Sequence, residues 1–155
     1  LGDRVHVGGG EFSPRVLFSH RDASTRHAFV QVSTACGRSV AATHGHYLYV
    51  NGRLAIAGSV KVGDRLQDAH GAPLDVTKVE VVTKTGLYNP QTLHGDIVVD
   101  SVRASTFTKA VEIKMAHALM APLRMMYNAV GLSATFLDKG ADTIMSMLPK
   151  GRTEL

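Results

Sequence analysis

Thr43-His44-Gly45-His46 sets a hydroxyl and two imidazoles within four residues. A Thr hydroxyl and a His three residues on can converge on one peptide bond. The hydroxyl hydrogen-bonds the amide and the imidazole protonates the departing nitrogen. Thr-x-x-His alone is common, and a polar turn with a surface histidine reads equally well from it. His44 and His46 also form His-x-His, which on a strand would turn both rings to one side. No third ligand with compatible spacing accompanies them, so neither a metal site nor a cofactor is expected. His20 stands two residues before Asp22, an arrangement that pairs a base with an orienting carboxylate. Cys36, the single cysteine, lies in Ala35-Cys36-Gly37-Arg38 and reads as an incidental residue at a hairpin tip. No nucleophile elbow, phosphate-binding loop, dinucleotide fingerprint or His-Glu-x-x-His is present.

The elements that must position these residues read as β. Runs at 4–7, 15–19, 28–33, 39–43, 46–50, 53–57, 74–82 and 97–103 alternate or carry β-branched residues, with Gly, Asn and Asp between them. Asn51-Gly52 is the clearest tight hairpin, since both residues tolerate positive φ. After Ser105 the period changes. Ile113, Ala116, Met120, Leu123, Tyr127 and Val130 recur at three and four, a helical stripe that Pro122 should kink. The expected organisation is a β-domain over 1–106 and a helical segment over 107–155. The apolar stretch 116–137 carries His117, Pro122, Arg124 and Asn128, and reads as an amphipathic helix able to touch a membrane interface rather than a span.

Composition bounds the rest. The chain has 155 residues, 45% of them hydrophobic, long enough to bury a core and too apolar for disorder over most of its length. A net charge of +4, with Lys and Arg scattered, does not point to nucleic acid. One cysteine excludes an internal disulfide framework and a Cys-rich zinc module. Leu1-Gly2-Asp3-Arg4-Val5 recurs as Val62-Gly63-Asp64-Arg65-Leu66. The echo reads either as two unrelated turns or as a duplicated β-subdomain with pseudo-twofold symmetry.

Taken in order, several blocks resemble the C-terminal autoprocessing (Hint, or Hog) domain of Hedgehog proteins. They are the Leu1–Val5 block, Val16-Leu17-Phe18-Ser19-His20-Arg21-Asp22, Phe29-Val30-Gln31-Val32, and Thr43-x-x-His46-Tyr47-Leu48-Tyr49-Val50. The most specific is Gly95-Asp96-Ile97-Val98-Val99-Asp100-Ser101-Val102-Arg103-Ala104-Ser105, followed by Ala118-Leu119-Met120-Ala121-Pro122-Leu123-Arg124. The resemblance covers roughly residues 1–127. It implies an all-β, horseshoe-like fold with an internal pseudo-twofold, followed by the helical segment.

The resemblance also implies chemistry. A cysteine at the first position of such a domain attacks the preceding carbonyl and converts the amide to a thioester. A sterol, another alcohol or water then resolves it. On this pattern Thr43 holds the scissile amide, His46 protonates its nitrogen, and His20 takes the place of an aspartate that acts as base in the second step. Thr106 falls where animal members carry a cysteine. The nucleophilic cysteine of the family lies upstream of the Gly-Asp-Arg block, so this sequence is expected to be cut from a longer one and not to cleave by itself. The implied partners are its own upstream segment, a sterol or other small nucleophile, and a membrane through 107–155. The implied compartment is the secretory pathway. A catalytically degenerate Hint fold kept as a binding or membrane-associated module is the alternative. Protein splicing is not expected, since no His-Asn pair closes the sequence.

Overall fold

The computed structural model describes residues 3–109 together with Ala121, Met125 and Ala129. Among the described residues the chain forms nine antiparallel strands: β1 (Arg4–Gly8), β2 (Glu11–Thr34), β3 (Ser39–Ala42), β4 (His46–Val50), β5 (Arg53–Ile56), β6 (Arg65–Gln67), β7 (Pro73–Thr92), β8 (Asp96–Val99) and β9 (Val102–Thr108). A short 3-10 turn, Ala57–Ser59, follows β5. The order across the sheet is β1-β2-β7-β6-β4-β9-β8, with β3 beside β2 and β5 beside β4. The end strands β1 and β8 lie against each other, so the sheet nearly closes on itself. Near-closure leaves few free edges, which is how an all-β module of this size avoids pairing with other chains.

Alternation drives the core. Val40 and Ala42 on β3, and Leu48 and Val50 on β4, are buried while their neighbours along the strand are less so. They meet Val30 and Val32 of β2, Leu66 of β6 and Val102 and Ala104 of β9 in one cluster. Because side chains alternate with period two, this cluster fixes the register of each contributing strand.

The duplicated reading of the Gly-Asp-Arg echo holds in the backbone. Arg4, Val5 and His6 of β1 pair with Pro14, Ser13 and Phe12. Arg65, Leu66 and Gln67 of β6 pair with Asp75, Leu74 and Pro73 in the same register. The backbone N–H of Arg15 donates to the carbonyl of Asp3 at 2.8 Å, and that of Val76 donates to the carbonyl of Asp64, also at 2.8 Å. The two hairpins are thus built alike, and the long strands that leave them, β2 and β7, pair with each other from Arg15↔Thr92 to Thr34↔Val76.

Several expected strands change extent. The runs at 15–19 and 28–33 are one strand, β2, and 74–82 extends to Thr92 as β7. Polar residues between the apolar runs hid this continuity, because the ladder with the partner strand carries them. The expected strand 97–103 is instead a hairpin. Asp100 and Ser101 turn at φ 48° and 65°, the conformation that Asn51 and Gly52 adopt at 50° and 79°. With no Gly or Asn at 100–101, the turn gave no signal. The expected division at residue 106 falls inside β9, where Phe107 is buried. The helical stripe lies outside the described residues; between its positions, Ala121, Met125 and Ala129 are described and are helical and exposed.

Left-handed backbone is costly for Asp and Ser and nearly free for Gly. Replacing the turn with Asp100→Asn and Ser101→Gly, the pair found at 51–52, is expected to stabilise the domain by about 1 kcal/mol. Thermal melts of the two proteins check this, and an unchanged or lower midpoint contradicts it.

Candidate active site

Thr43 and His46 are the two ends of one turn. β3 ends at Ala42, and the backbone N–H of His46 donates to the Thr43 carbonyl at 2.9 Å before β4 begins. The i, i+3 spacing of Thr-x-x-His is therefore the spacing of a β-turn, which brings its first and last residues together. The end of β9 pins the turn from outside, through the N–H of Lys109 donating to the Gly45 carbonyl at 2.7 Å.

The His46 ring faces inward. Its Nε2–H donates to the carbonyl of Ser105 on β9 at 2.7 Å. A carbonyl only accepts, so Nε2 carries the proton and Nδ1 is the nitrogen that can take up another. Burial pushes the pKa of His46 below the ordinary histidine value, and the bond to Ser105 offsets only part of that. His46 is thus held neutral at pH 7. His44 does not join it. It sits in the turn rather than on a strand, and its ring lies over Gly58, where any Cβ would collide with it.

Thr43 and His46 line a cavity of about 420 Å³ whose opposite wall is the β2–β7 ladder. His20, exposed on β2 and paired with Asn89 of β7, lines the same cavity. The fold thus brings all three expected residues, His20, Thr43 and His46, to one space. Leu48, Ile97, Phe29 and Phe107 give that space apolar surface.

Two cavity residues, Ser19 and Gln91, had no signal in the sequence, and Thr106, noted there only as standing in place of a cysteine, joins them. The Ser19 hydroxyl accepts from Asn89 Nδ2 and from Gln91 Nε2, each at 2.9 Å. Gln91 also donates to the Thr106 carbonyl at 2.7 Å, and its buried Oε1 has no partner among the described residues. Thr106 is fully buried and donates to the Gly95 carbonyl at 3.1 Å. The hydroxyl thus ties β9 to the 92–96 turn, a structural task that needs no thiol.

One expected pair is not formed. Asp22 does not orient His20. Its Oδ1 accepts from the backbone N–H of Ser24 and Thr25 at 2.9 and 3.0 Å, and its Oδ2 meets Nε2 of His27 at 3.1 Å. The Thr25 hydroxyl and these N–H groups hold the carboxyl well below the usual range. Cys36 is exposed at its turn, as expected, but its thiol is not featureless. The Thr34 hydroxyl at 3.3 Å and the Arg38 backbone lower its pKa.

The nearly closed antiparallel sheet is shared with intein-like modules. Solved structures agree. The bacterial intein-like domain from Clostridium thermocellum superposes with a TM-score of 0.55 at 19% identity, over 67% of this chain and 81% of that one. The DnaX mini intein from Spirulina platensis gives 0.54 at 12% identity, over 67% and 82%. A profile of the Hint module matches residues 1–146, and the chain belongs to the Hint family. Protein hedgehog of Drosophila virilis is 32% identical over 141 residues, 82% of this chain and 29% of that protein. Sonic hedgehog protein of Xenopus laevis is 30% identical over an alignment 172 positions long, gaps included, that covers 99% of this chain and 38% of that protein. The chain therefore spans about a third of the length of such relatives. Autoprocessing modules are the kind of protein it is related to.

The neutral His46 has a consequence for stability. Its folded pKa lies below the unfolded value near 6.5, so the unfolded chain binds the proton first as pH falls. The contribution is complete above about pH 6.5 and is lost on acidification toward the lower folded value. Denaturant melts from pH 7.5 to 5.5 should show falling stability, with a shallower slope in His46→Gln. The carboxylates with lowered pKa, Asp22, Asp64 and Asp68, titrate below this window. Identical slopes for the two proteins contradict the assignment.

Proposed function

We propose that in its parent protein this module cleaves itself from the segment upstream by way of a thioester. The observation that carries the reading is the Thr43–His46 turn, opening with His20 onto one cavity in a chain of the Hint family. An upstream cysteine supplies the sulfur. Its sulfur adds to the preceding carbonyl carbon, the C–N bond breaks, and a thioester and a free amine result. The thiol proton must reach the departing nitrogen. A neutral His46 cannot act first as an acid through Nδ1, so it takes the thiol proton there and then delivers it to the nitrogen. Burial lowers the cost of returning to the neutral form and so favours the delivery. The Thr43 hydroxyl hydrogen-bonds the scissile amide and holds it against the turn.

In the second step an alcohol or water attacks the thioester carbon. His20 takes the nucleophile's proton and the thiolate leaves. The apolar walls formed by Leu48, Ile97 and Phe29 support a sterol or another lipophilic alcohol as acceptor. The segment 107–155 serves as the membrane-contacting part that presents it. Among the described residues no helix is long and apolar enough to cross a membrane. A secretory route follows from the likeness to hedgehog proteins.

The test is the intact mass of the parent protein, expressed with its native upstream sequence, with and without added thiol. Release of a fragment ending just before an upstream cysteine, faster with thiol, is expected. His46→Ala should slow cleavage by about 10²–10⁴-fold under both conditions, the usual range for a general acid–base. His20→Ala should still release the fragment with thiol but not to the natural acceptor. Normal processing by His46→Ala, or a stable full-length mass with thiol, overturns the reading.

A further inference from the structure

His20, Asp22 and His27 bring two imidazoles and a carboxylate together on β2, with one ligand atom of each within 4.8 Å of the others. We propose that this cluster is a binding site for a divalent transition metal, of which zinc is the best fit. The inference does not rest on the autoprocessing reading, because the three donors stand together whatever the cavity does.

The backbone explains why they meet. His20 and Asp22 are two apart on a strand and share a face. His27 is five further on and would ordinarily point away. Between Asp22↔Leu87 and Arg26↔Thr85 the pairing shifts, with Ala23, Ser24 and Thr25 bulging from β2. A bulge re-aims the side chains beyond it, and here it turns His27 back to Asp22. Gly86 faces the bulge at φ 89°, and a Cβ there would press on Tyr88 at 3.1 Å. The opposite strand is therefore shaped to accept it.

The donors are held ready. Asp22 spends Oδ1 on the N–H groups of Ser24 and Thr25, which fixes the carboxylate and leaves Oδ2 toward His27 at 3.1 Å. Tetrahedral zinc with bonds of about 2.0–2.2 Å needs ligand atoms about 3.3 Å apart. Asp22 and His27 already meet that spacing. The ring of His20 lies 6.1 Å from that of His27, centre to centre and at 90°, and it is exposed, so a small rotation brings its nitrogen in. Nε2 of His27 carries the proton it gives to Asp22 Oδ2, so a metal bound there takes the place of that proton, and the neutral ring then carries its proton on Nδ1. Arg21, which adjoins His20 and Asp22 on the strand, does not oppose it. The Arg21 guanidinium lies over the Phe18 ring, and Arg21 falls on the other face of β2 from His20 and Asp22. Two imidazoles and one carboxylate suit zinc, copper or nickel and disfavour magnesium, which prefers oxygen. Three protein ligands leave a fourth position for water.

Isothermal titration of the untagged chain with zinc chloride, with magnesium chloride as control, tests the site. One zinc per chain and no magnesium uptake are expected. Removing an outer partner of a metal ligand costs about 10–100-fold in affinity, and removing a ligand should cost at least that. His20→Ala and His27→Ala should each weaken zinc by this factor. Asp22→Asn keeps an oxygen for the Ser24 and Thr25 N–H groups while removing the charge, so it tests the site with the bulge intact. Cobalt absorption reports the coordination change in the same proteins. No zinc uptake, or zinc affinity unchanged in His20→Ala and Asp22→Asn, overturns the proposal. Loss of zinc binding in Cys36→Ser alone does so as well.

Discussion

The ladder between β2 and β7 sets the geometry of everything else in this module. The two strands pair from Arg15↔Thr92 to Thr34↔Val76; β1 and β3 attach to β2, β6 attaches to β7, and the remaining strands follow from β6 through β4. A ladder this long cannot stay flat, because each strand twists. It accommodates by shifting register between Arg15 and Leu17, Phe18 and His20, Asp22 and Arg26, and Ser33 and Thr34. Those shifts decide which side chains face the cavity. Ser19, His20, Asn89 and Gln91 form one wall because the register around them puts them there. A one-residue slip of β2 would turn His20 to the other face, away from Thr43 and His46.

The ladder is itself a product of duplication. The hairpins that begin with Asp3-Arg4 and Asp64-Arg65 share a register, and each Asp carbonyl accepts from the residue twelve further on. Two copies of one hairpin, related by a pseudo-twofold, send their long strands past each other in opposite directions. The copies differ where each meets its surroundings. Asp64 accepts from Asn51 Nδ2 at 2.8 Å and from the Lys61 N–H, which locks the β4–β5 turn to the second copy. Asp3 holds Arg15 across an exposed gap of 3.2 Å, an interaction worth little in water. The second copy is therefore the one tied to the core strand β4, which begins at His46.

His46 shows how a common side chain becomes specific. A surface histidine near pH 7 is a mixture of charged and neutral forms. Here burial removes water from the ring and the Ser105 carbonyl fixes its tautomer. The ring is then a single species with one nitrogen available for proton exchange. The same physics explains why His44, two residues earlier, has no such part. It is exposed in a turn, over Gly58, and its ring has no hydrogen-bond partner among the described residues.

The sequence made some of this visible for reasons that can be stated residue by residue. Thr43 and His46 were legible because a turn brings i and i+3 together without help from the rest of the fold. Asn51-Gly52 was legible because positive φ is written in residue type. The ordered blocks from Val16 to Ser105 carried the family. Asp100-Ser101 was illegible because the fold imposes the same φ values on residues that do not ask for them. Gln91 and Ser19, and the structural task of Thr106, were illegible because their roles exist only across strands distant in sequence. The pairing of Asp22 with His27 rather than His20 was illegible for a further reason. Alternation predicts that His20 and Asp22 share a face, which is true. It is silent on whether three unpaired residues bulge from the strand, and that bulge decides which imidazole the carboxylate meets. Local pattern thus locates chemistry that a turn can assemble, while chemistry assembled across a ladder depends on register, which no single strand encodes.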